Sequence, residues 1–198
     1  MSDASGCSPA FHPEQRNLDA LFREIAEKAG TLCAASGVSL TYHGPEKEAL
    51  CFVDGTLLER AALNMIANAM KFTPPGGSIR LELQQCGSQY RFSVTDSGSG
   101  IPEKERSSLF TRYLREPAIE DTRHGIGLGM LLIRGTAARH GGAVLVDFPK
   151  NGGTRVSITF SGAPEEGAGL RTFVPADYAG EQDHALIELS EFLPPEYY

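Results

Sequence analysis

Three polar side chains share one face of a predicted helix in the middle of the chain. Asn64, Asn68 and Lys71 follow one another at spacings of four and three residues, which places them on one side of a helix. Carboxamide oxygens are hard ligands of the kind that Mg²⁺ accepts, and a lysine one turn further on can meet a phosphate as a point charge. Taken alone, the three residues are better explained as the solvated edge of an amphipathic helix.

A second group follows a predicted strand. Asp96 stands at the end of that strand, and Gly98 and Gly100 come directly after it. The carboxylate can accept a hydrogen bond from an exocyclic amine such as that of adenine, and the glycines let a ligand approach the backbone closely. A solvated aspartate in a flexible turn is the simpler interpretation of this segment by itself.

A third group precedes a predicted helix that runs from about Leu128 to His140. Gly125, Gly127 and Gly129 form a glycine-rich turn, and backbone N–H groups at a helix N-terminus attract phosphate. The turn is not the dinucleotide fingerprint, because no βαβ unit surrounds it and the spacing is one residue short. It is not a P-loop either, because no Gly-Lys-Ser/Thr follows. Alone, it is a weak indication.

Composition limits the classes of function. A chain of 198 residues has room for one domain of ordinary size, and a net charge of -7 argues against a general nucleic-acid binder. The four cysteines, Cys7, Cys33, Cys51 and Cys86, form no CxxC pair, which favours free thiols in a reducing cytosol. No apolar run approaches the ~18 residues of a membrane span. We therefore expect a cytoplasmic location and no membrane contact from this chain.

The hydrophobic pattern predicts helices and strands in irregular order. Apolar residues recur at helical spacing after Asn17 and after Asp54, each of which can cap a helix. Alternating runs predict strands at residues 38–42, 49–53, 78–83, 90–95, 144–148 and 154–160. Helices and antiparallel strands that do not alternate strictly predict an α+β fold. It is a two-layer α/β sandwich with a mixed, mostly antiparallel sheet and helices on one face.

The same pattern divides the chain into three parts. Residues 1–16 are small and polar and predict a flexible lead-in, and residues 17–161 hold the predicted domain. Residues 162–198 begin with a glycine-rich stretch but carry bulky apolar residues near their end. We expect this C-terminal extension to dock on the domain, as an edge strand or on the open face of the sheet, rather than to remain disordered.

In their fixed order the three groups resemble the motifs of the GHKL (Bergerat-fold) ATPase superfamily. Within it, the chain is most similar to the catalytic and ATP-binding domain of bacterial sensor histidine kinases, over about residues 17–161. The similarity is carried by an N box at 63–74, a first glycine box at 96–100, an F box at 109–113, a second glycine box at 125–129 and a glycine–threonine element at 152–154. The resemblance implies the same fold, with ATP and Mg²⁺ as cofactors.

The resemblance also implies an adenine end of the site. Asp96 should accept a hydrogen bond from the adenine amino group, and Phe72 should lie against the ring. Gly98, Gly100 and Thr154 should complete that edge of the pocket.

By the same resemblance, the phosphates lie along the helix of the N box. Asn68 should coordinate Mg²⁺ directly, Asn64 should act through the water shell of the ion, and Lys71 should reach the phosphates. Arg115, in a lid over residues 102–124, should meet the γ-phosphate. Backbone contacts to the phosphates should come from Gly125, Gly127, Leu128 and Gly129.

One position narrows the type of reaction. Superfamily members that hydrolyse ATP carry a glutamate where this chain has Asn64, and that carboxylate activates water as a general base. Asparagine takes no proton at neutral pH. Asn64 therefore favours phosphoryl transfer over hydrolysis, with catalysis by positioning and charge neutralisation.

The resemblance implies an acceptor that we do not find in this chain. Sensor kinases transfer the γ-phosphoryl group to a histidine on a dimerisation domain, within an H-[DE]-x-[KR]-x-P pattern, and through it to a response regulator. His12 does not match that pattern, and His124 is better interpreted as a lid or phosphate-edge residue. His43, His140 and His184 lie in no motif and are interpreted as surface or core histidines. We therefore expect the acceptor elsewhere, and favour the chain being a fragment of a longer kinase.

Two other functions fit parts of the pattern. A stand-alone serine protein kinase of the anti-sigma type shares the ATP-binding fold, but it typically has glutamate at the position of Asn64. A degenerate nucleotide-binding module that only mediates protein contacts is the second alternative. The intact Asn68, Lys71 and Asp96 argue against it.

Overall fold

A computed structural model of the protein describes residues 11–104 and 127–161. The elements in these ranges are β1 (Glu14–Asn17), α1 (Leu18–Ala35), β2 (Ser39–His43), β3 (Leu50–Val53), α2 (Gly55–Phe72), β4 (Ser78–Cys86), β5 (Gln89–Asp96), α3 (Gly127–Arg139), β6 (Val144–Asp147) and β7 (Arg155–Ser161). None of the helices in this part of the chain is both long and apolar enough to cross a bilayer.

Within residues 11–104 and 127–161, five strands form the main sheet, in the order β2-β4-β5-β7-β6. β2 runs parallel to β4, because α2 carries the chain from one end of the sheet back to the other between them. All other neighbours in this sheet are antiparallel. The short strands β1 and β3 pair in a separate two-stranded sheet. The predicted mixed, mostly antiparallel sheet is confirmed.

The helices pack on one face of the main sheet. Alternate residues of its central strands point toward them and are buried, including Ile79, Leu81, Leu83, Phe92, Val94, Ile158 and Phe160. Phe22 of α1 stacks on Phe92 of β5, with the ring centroids 4.1 Å apart. On the opposite face the hydroxyls of Ser93 and Ser157 bond to each other at 2.9 Å. The predicted α+β sandwich is therefore confirmed.

Local sequence determines both ends of α2. Asp54 has an extended backbone, and its Oδ1 accepts a hydrogen bond from the Leu57 amide at 3.1 Å, as an N-cap does. At the other end the Thr73 hydroxyl donates to the Ala69 carbonyl at 2.7 Å. The two prolines that follow lack the amide hydrogen that a further turn needs. The helix predicted between Asp54 and Thr73 is therefore present.

The fold begins earlier than the sequence pattern indicates. Helical periodicity predicts a domain that starts at Asn17, but residues 14–17 form β1, which pairs with β3. Upstream of β1, the His12 amide donates to Asp54 Oδ2 at 3.0 Å. β1 reads Glu-Gln-Arg-Asn and has no alternation of apolar and polar residues, so its strand conformation depends on its partner rather than on its own sequence.

Helices α2 and α3 pack side by side and run in opposite directions. Near the start of α3, a Cβ built on Gly129 would lie 2.5 Å from Asn64 Oδ1 in the middle of α2. Just beyond the end of α3, His140 Nε2 accepts a hydrogen bond from the Asp54 amide, at 3.0 Å, where α2 begins. This pair of helices carries two of the three motif groups, so its packing positions the candidate site.

The buried His140 predicts a loss of stability in acid. Burial lowers its pKa below the ordinary 6.5, with Arg139 acting in the same direction and Asp54 and the Thr136 carbonyl opposing. The folded state therefore binds the proton less readily than the unfolded state. The stabilisation is complete above about pH 6.5 and is lost as the pH falls below it, by up to ~1.4 kcal/mol per pH unit.

This loss can be measured as the Tm at several pH values between about pH 7.5 and about pH 5. We expect the Tm of the unaltered protein to fall across that range, and the Tm of His140→Gln, which has no titrating ring, to fall less steeply. Parallel profiles for the two proteins would contradict the assignment of the acid-sensitive step to His140.

Candidate functional site

Asp96 ends β5 on the side of the sheet that faces the helices, and only 8% of it is exposed. Its amide donates to the Thr154 carbonyl at 2.9 Å, which ties it to the turn before β7. Its Oδ1 accepts from the Gly98 amide at 2.8 Å, in the local turn that aspartate favours. The strand and the two turns therefore hold the carboxylate in a defined orientation.

The environment of Asp96 suits a hydrogen-bond donor from a ligand. Burial raises the pKa of this carboxyl above its ordinary value, and the amide hydrogens of Gly98, Thr154 and Asp96 itself oppose that rise. Since desolvation is the larger effect, the charged carboxylate is incompletely solvated in the folded chain. An additional N–H donor would stabilise it, as the exocyclic amine of adenine could.

Three segments of backbone meet closely around Asp96. A Cβ built on Gly98 would overlap the carbonyl oxygen of Phe72, the last residue of α2. A Cβ on Gly153 would overlap the carbonyl oxygen of Asp96, and the φ of Gly153 is 78°, in the left-handed region. A Cβ on Gly100 would come within 2.9 Å of the Gly153 carbonyl. Glycines therefore allow the end of α2, the turn after β5 and the turn before β7 to come together.

The end of α2 presents an aromatic ring beside this meeting point. Phe72 is 47% exposed, although its carbonyl lies against Gly98. Lys71, the preceding residue, is also exposed. An exposed ring next to a buried acceptor can stack on a planar base while Asp96 binds the edge of that base. The backbone thus brings Phe72 and Asp96 to the same place, and the roles of the two residues at an adenine stay predictions.

A second meeting point lies at Asn64, about two turns before the end of α2. Asn64 Nδ2 donates to the Arg60 carbonyl at 3.1 Å, which leaves Oδ1 directed toward the start of α3, where Gly129 lies. Asn68 follows one turn later on the same face and is half-buried. The amide groups of the first turn of a helix have no partner within the helix. The carboxamide oxygen of Asn64 and the amide end of α3 therefore face each other.

The contact between Gly129 and Asn64 gives a direct test of this second point. Gly129→Ala would place a methyl group 2.5 Å from Asn64 Oδ1 and should displace that carboxamide. We expect binding of ATP with Mg²⁺ to weaken by roughly tenfold or more, measured by calorimetric titration.

The matched control is Gly30→Ala, also in a helix, where an added Cβ would meet nothing within 4 Å. It should leave nucleotide affinity unchanged and stabilise the chain by up to about 1 kcal/mol. Equal affinities for the two variants would show that the position of Asn64 does not matter.

The carboxamide oxygens at this second meeting point, between α2 and the start of α3, are suitable ligands for Mg²⁺. Within residues 11–104 and 127–161, no cluster of three or more His, Cys, Asp or Glu could hold a metal ion. Mg²⁺ commonly takes only one or two protein oxygens and completes its shell with water and substrate phosphates. The carboxamide oxygens of Asn64 and Asn68 fit such a site.

The structure places the predicted site residues in two clusters joined by α2. The first holds Phe72, Asp96, Gly98, Gly100 and Thr154, and the second holds Asn64 and Gly129. Asn68 and Lys71 lie between them on α2, and Gly127 and Leu128 open α3. Arg115, Gly125, the F box at 109–113 and the extension at 162–198 lie outside the described residues, as does most of the lid at 102–124.

Two residues of the site region carry no role in the sequence analysis. Gly153 lies in the glycine–threonine element at 152–154, and it allows the turn before β7 to lie against Asp96, which the sequence does not indicate. His140 ties α3 to the start of α2, whereas the sequence alone predicts only a surface or core histidine. A histidine just after a helix carries no sequence signal that names Asp54 as its partner.

Comparison with known proteins agrees with this geometry. Residues 53–164 match the family described as histidine kinase-, DNA gyrase B-, and HSP90-like ATPase. The match takes in more than half of the chain and includes α2, Asp96 and the turn before β7. The chain therefore belongs to this family, and the predicted superfamily and its use of ATP are confirmed.

Its relatives are sensor kinases. The adaptive-response sensory kinase SasA of Synechococcus sp. (strain CC9311) is 31% identical over 137 residues, which cover 69% of this chain and 36% of SasA. The signal transduction histidine-protein kinase/phosphatase MprB of Mycobacterium sp. (strain KMS) is 37% identical over 108 residues, covering 54% of this chain and 21% of MprB. The chain thus spans little more than a third of the first relative and a fifth of the second.

A solved structure shares the fold. The mycobacterial sensor histidine kinase MprB superposes with a TM-score of 0.60 at 28% identity, covering 77% of this chain and 99% of that chain. The predicted similarity to sensor histidine kinases is confirmed.

Proposed function

We propose that this chain is the ATP-binding, catalytic part of a sensor histidine kinase. It would move the γ-phosphoryl group of ATP to a histidine on a dimerisation domain outside this chain, from which a response regulator would receive it. Family membership and the two sensor kinases among the relatives support the proposal. The observation that carries it is Asn64, a carboxamide and not a carboxylate on the helix that faces the glycine-rich start of α3.

The adenine would bind at the first cluster. Asp96 would accept the hydrogen bond of the exocyclic amine, and Phe72 would stack on the ring. The close approach of Gly98 to the end of α2 supports this, because it brings the acceptor and the exposed ring to one place. Gly100 and Thr154 would line the remaining edge.

The phosphates would extend from there along α2 toward α3. Lys71 lies between Asn68 and the adenine end, directly before Phe72, and would meet a phosphate as a point charge. The amides at the start of α3, from Gly127 to Gly129, would donate to phosphate oxygens, since they lie at a helix N-terminus. Arg115 would meet the γ-phosphate from the lid.

The reaction needs no base on this chain. A ring nitrogen of the acceptor histidine attacks the γ-phosphorus, the N–P bond forms, and the bond to the bridging oxygen breaks as ADP leaves. The chain contributes position and positive charge: Lys71 and the α3 amides stabilise the charge that develops on the oxygens. Asn64 cannot take a proton from water, so hydrolysis lacks its general base.

Magnesium would be held by Asn68 directly and by Asn64 through water. A bound Mg²⁺ supplies charge neutralisation on the phosphates. We expect Asn68→Ala to weaken ATP binding by roughly tenfold in the presence of Mg²⁺ and to have little effect in EDTA. Calorimetric titrations in both conditions measure the difference.

The control is Asn151→Ala, at an exposed asparagine in the turn before β7. It should bind ATP like the unaltered chain in both conditions. An equal loss for Asn68→Ala with and without Mg²⁺ would mean that Asn68 contacts something other than the ion.

The experiment that tests the proposed function mixes the full chain with γ-labelled ATP, Mg²⁺ and a purified histidine-bearing dimerisation domain from a sensor kinase. Label on the dimerisation domain that acid removes and base leaves intact is the expected result. Replacement of the acceptor histidine by glutamine should abolish it. Acid-stable label on the acceptor protein would instead support a serine kinase, and absence of transfer despite ATP binding would reject the proposed reaction.

A further inference from the structure

His140 joins four segments of the described chain in a buried junction. Its ring is 2% exposed and accepts a hydrogen bond from the Asp54 amide at 3.0 Å through Nε2. Nδ1 lies 2.7 Å from the Thr136 carbonyl of its own helix. The rings of Phe11 and His140 pack edge to face with centroids 5.0 Å apart. The backbone carbonyl of His140 accepts a hydrogen bond from the Ser161 amide at 2.8 Å.

These partners fix the protonation of the ring. The Asp54 amide can only donate, so Nε2 must be the unprotonated nitrogen of a neutral ring. Nδ1 then carries the proton and donates it to the Thr136 carbonyl. The lowered pKa of His140 agrees with a neutral ring. The imidazole therefore links two segments: Nδ1 bonds to the Thr136 carbonyl, and Nε2 accepts from the amide of Asp54, the N-cap of α2.

The hydrogen bond between the Asp54 amide and His140 affects the packing of α3 on α2 at some distance from His140. Asp54 is the N-cap of α2, and His140 directly follows α3. His140 comes eleven positions after Gly129, which is about 16 Å along a helix. At that other end Gly129 meets Asn64. Because packed helices move as stiff elements, the junction sets how α3 lies along α2 where the phosphates would bind.

We propose that His140 is a positioning residue for the phosphate end of the nucleotide site, a role that rests on the proposed function. Its bond to the Asp54 amide fixes α3 against α2, and so fixes the glycine-rich start of α3 against Asn64. The adenine end does not depend on this bond, because Asp96 is held by Gly98 and Thr154. Loss of the bond should therefore weaken binding of the phosphates and spare binding of the base.

Two amide side chains separate the roles of the two ring nitrogens. In His140→Gln the side-chain oxygen reaches the place of Nε2 and can still accept from the Asp54 amide. In His140→Asn the shorter side chain can reach only the place of Nδ1, so the Asp54 amide is left buried without an acceptor. Both variants lose the ring and its packing, so they are matched for the loss of core volume except for one methylene.

The test measures binding of ATP with Mg²⁺ by calorimetry and binding of adenosine by NMR titration, on the full chain well below each Tm. We expect His140→Asn to bind ATP about tenfold more weakly than the unaltered chain. It should bind adenosine equally well. His140→Gln should recover most of the ATP affinity, although its Tm will also be lowered.

Several outcomes overturn the proposal. If both variants bind ATP like the unaltered chain and only their Tm falls, His140 merely fills the core. If both variants lose ATP affinity equally, or if adenosine binding falls together with ATP binding, the hydrogen bond to the Asp54 amide does not position the phosphate end of the site. An unaltered chain that binds neither ligand would reject the proposed function itself, which is a distinguishable result.

A second variant covers the case in which His140→Asn does not fold. Thr136→Val keeps the shape of the side chain and removes its hydroxyl, which donates to the Leu57 carbonyl at 3.4 Å and is a second tie between α3 and the start of α2. It should weaken ATP binding severalfold and leave adenosine binding unchanged. Unchanged affinity for both ligands would contradict a role for this junction in placing the phosphates.

Discussion

Asp96→Asn is expected to weaken ATP binding by about 1.5–3 kcal/mol, roughly 10- to 150-fold, while the chain stays folded. The carboxamide has one oxygen and one NH₂ group, whereas the carboxylate has two accepting oxygens. The Gly98 amide already occupies Oδ1. In either orientation of the carboxamide, its NH₂ group therefore faces an N–H donor, that of adenine or that of Gly98.

The same substitution should leave the Tm without nucleotide unchanged or slightly higher. Burial raises the pKa of Asp96, so its ionised form is less favourable in the folded than in the unfolded chain. Ionisation of Asp96 therefore destabilises the fold: the cost appears as the pH rises above the ordinary aspartate pKa, and it is complete and constant above the raised pKa of the folded chain, including at neutral pH. A neutral side chain of the same shape removes that cost. A variant that keeps its Tm but loses ATP affinity would show that Asp96 acts in binding and not in stabilising the fold.

Asp147→Asn is the matched control, because Asp147 also ends a strand, β6, but is exposed. It should change neither the affinity nor the Tm measurably. If Asp96→Asn binds ATP as well as Asp147→Asn does, adenine is recognised elsewhere and the assignment of the first cluster is wrong.

Gly153→Ala is expected to destabilise the fold by about 3 kcal/mol or more, or to prevent folding. An added Cβ would overlap the carbonyl oxygen of Asp96, and the φ of 78° is one that residues with a Cβ rarely adopt. The turn before β7 would have to move away from β5. Chemical unfolding of the unaltered chain and of Gly153→Ala, monitored by circular dichroism, measures the loss in the free energy of unfolding.

Gly76→Ala separates the two causes. Gly76 has a φ of 84°, but an added Cβ would meet nothing within 4 Å. It should therefore cost only the conformational energy of the left-handed region, about 1–2 kcal/mol. Similar losses for both variants would mean that the turn at Gly153 adjusts freely, and that its close approach to Asp96 is not a constraint.

The helix that carries the site could be predicted from sequence because its signals are local. Asp54 caps α2 from within its own first turn, and the prolines after Thr73 end it. Between these ends, apolar residues at helical spacing fix which face is buried, and so place Asn64 and Asn68 on one stripe. The mixed sheet followed in the same way from alternation within each strand.

The pairings between distant segments could not be predicted. β1 has no apolar alternation and becomes a strand only because β3 lies beside it. The bond from Asp54 to His140 spans 86 residues, and a lone histidine after a helix names no partner. Gly153 shows the same limit, because a glycine pair predicts a turn but not that the turn must pass within contact of Asp96.

The candidate site could be predicted from the order of its motifs along the chain, whereas no single residue was sufficient. Asp96 alone predicts a solvated turn, whereas the structure buries it and joins it to Gly98 and Thr154. The resemblance to sensor kinases supplied the roles, and the fold supplied the physical reason that Phe72 lies beside Asp96. The motif residues in 105–126 stay as predictions.

The most direct test of the central claim is the thermal stability of the intact chain with ATP and Mg²⁺. Ligand that binds only the native state must raise the Tm, by roughly 5–10 °C at a hundredfold excess over Kd. We predict such a rise with ATP, a much smaller one with GTP, whose base presents a carbonyl oxygen to Asp96, and at most about half of the rise with ATP for Asp96→Asn at the same concentration. A chain whose Tm does not change with saturating ATP, or rises equally for Asp96→Asn, would contradict the account.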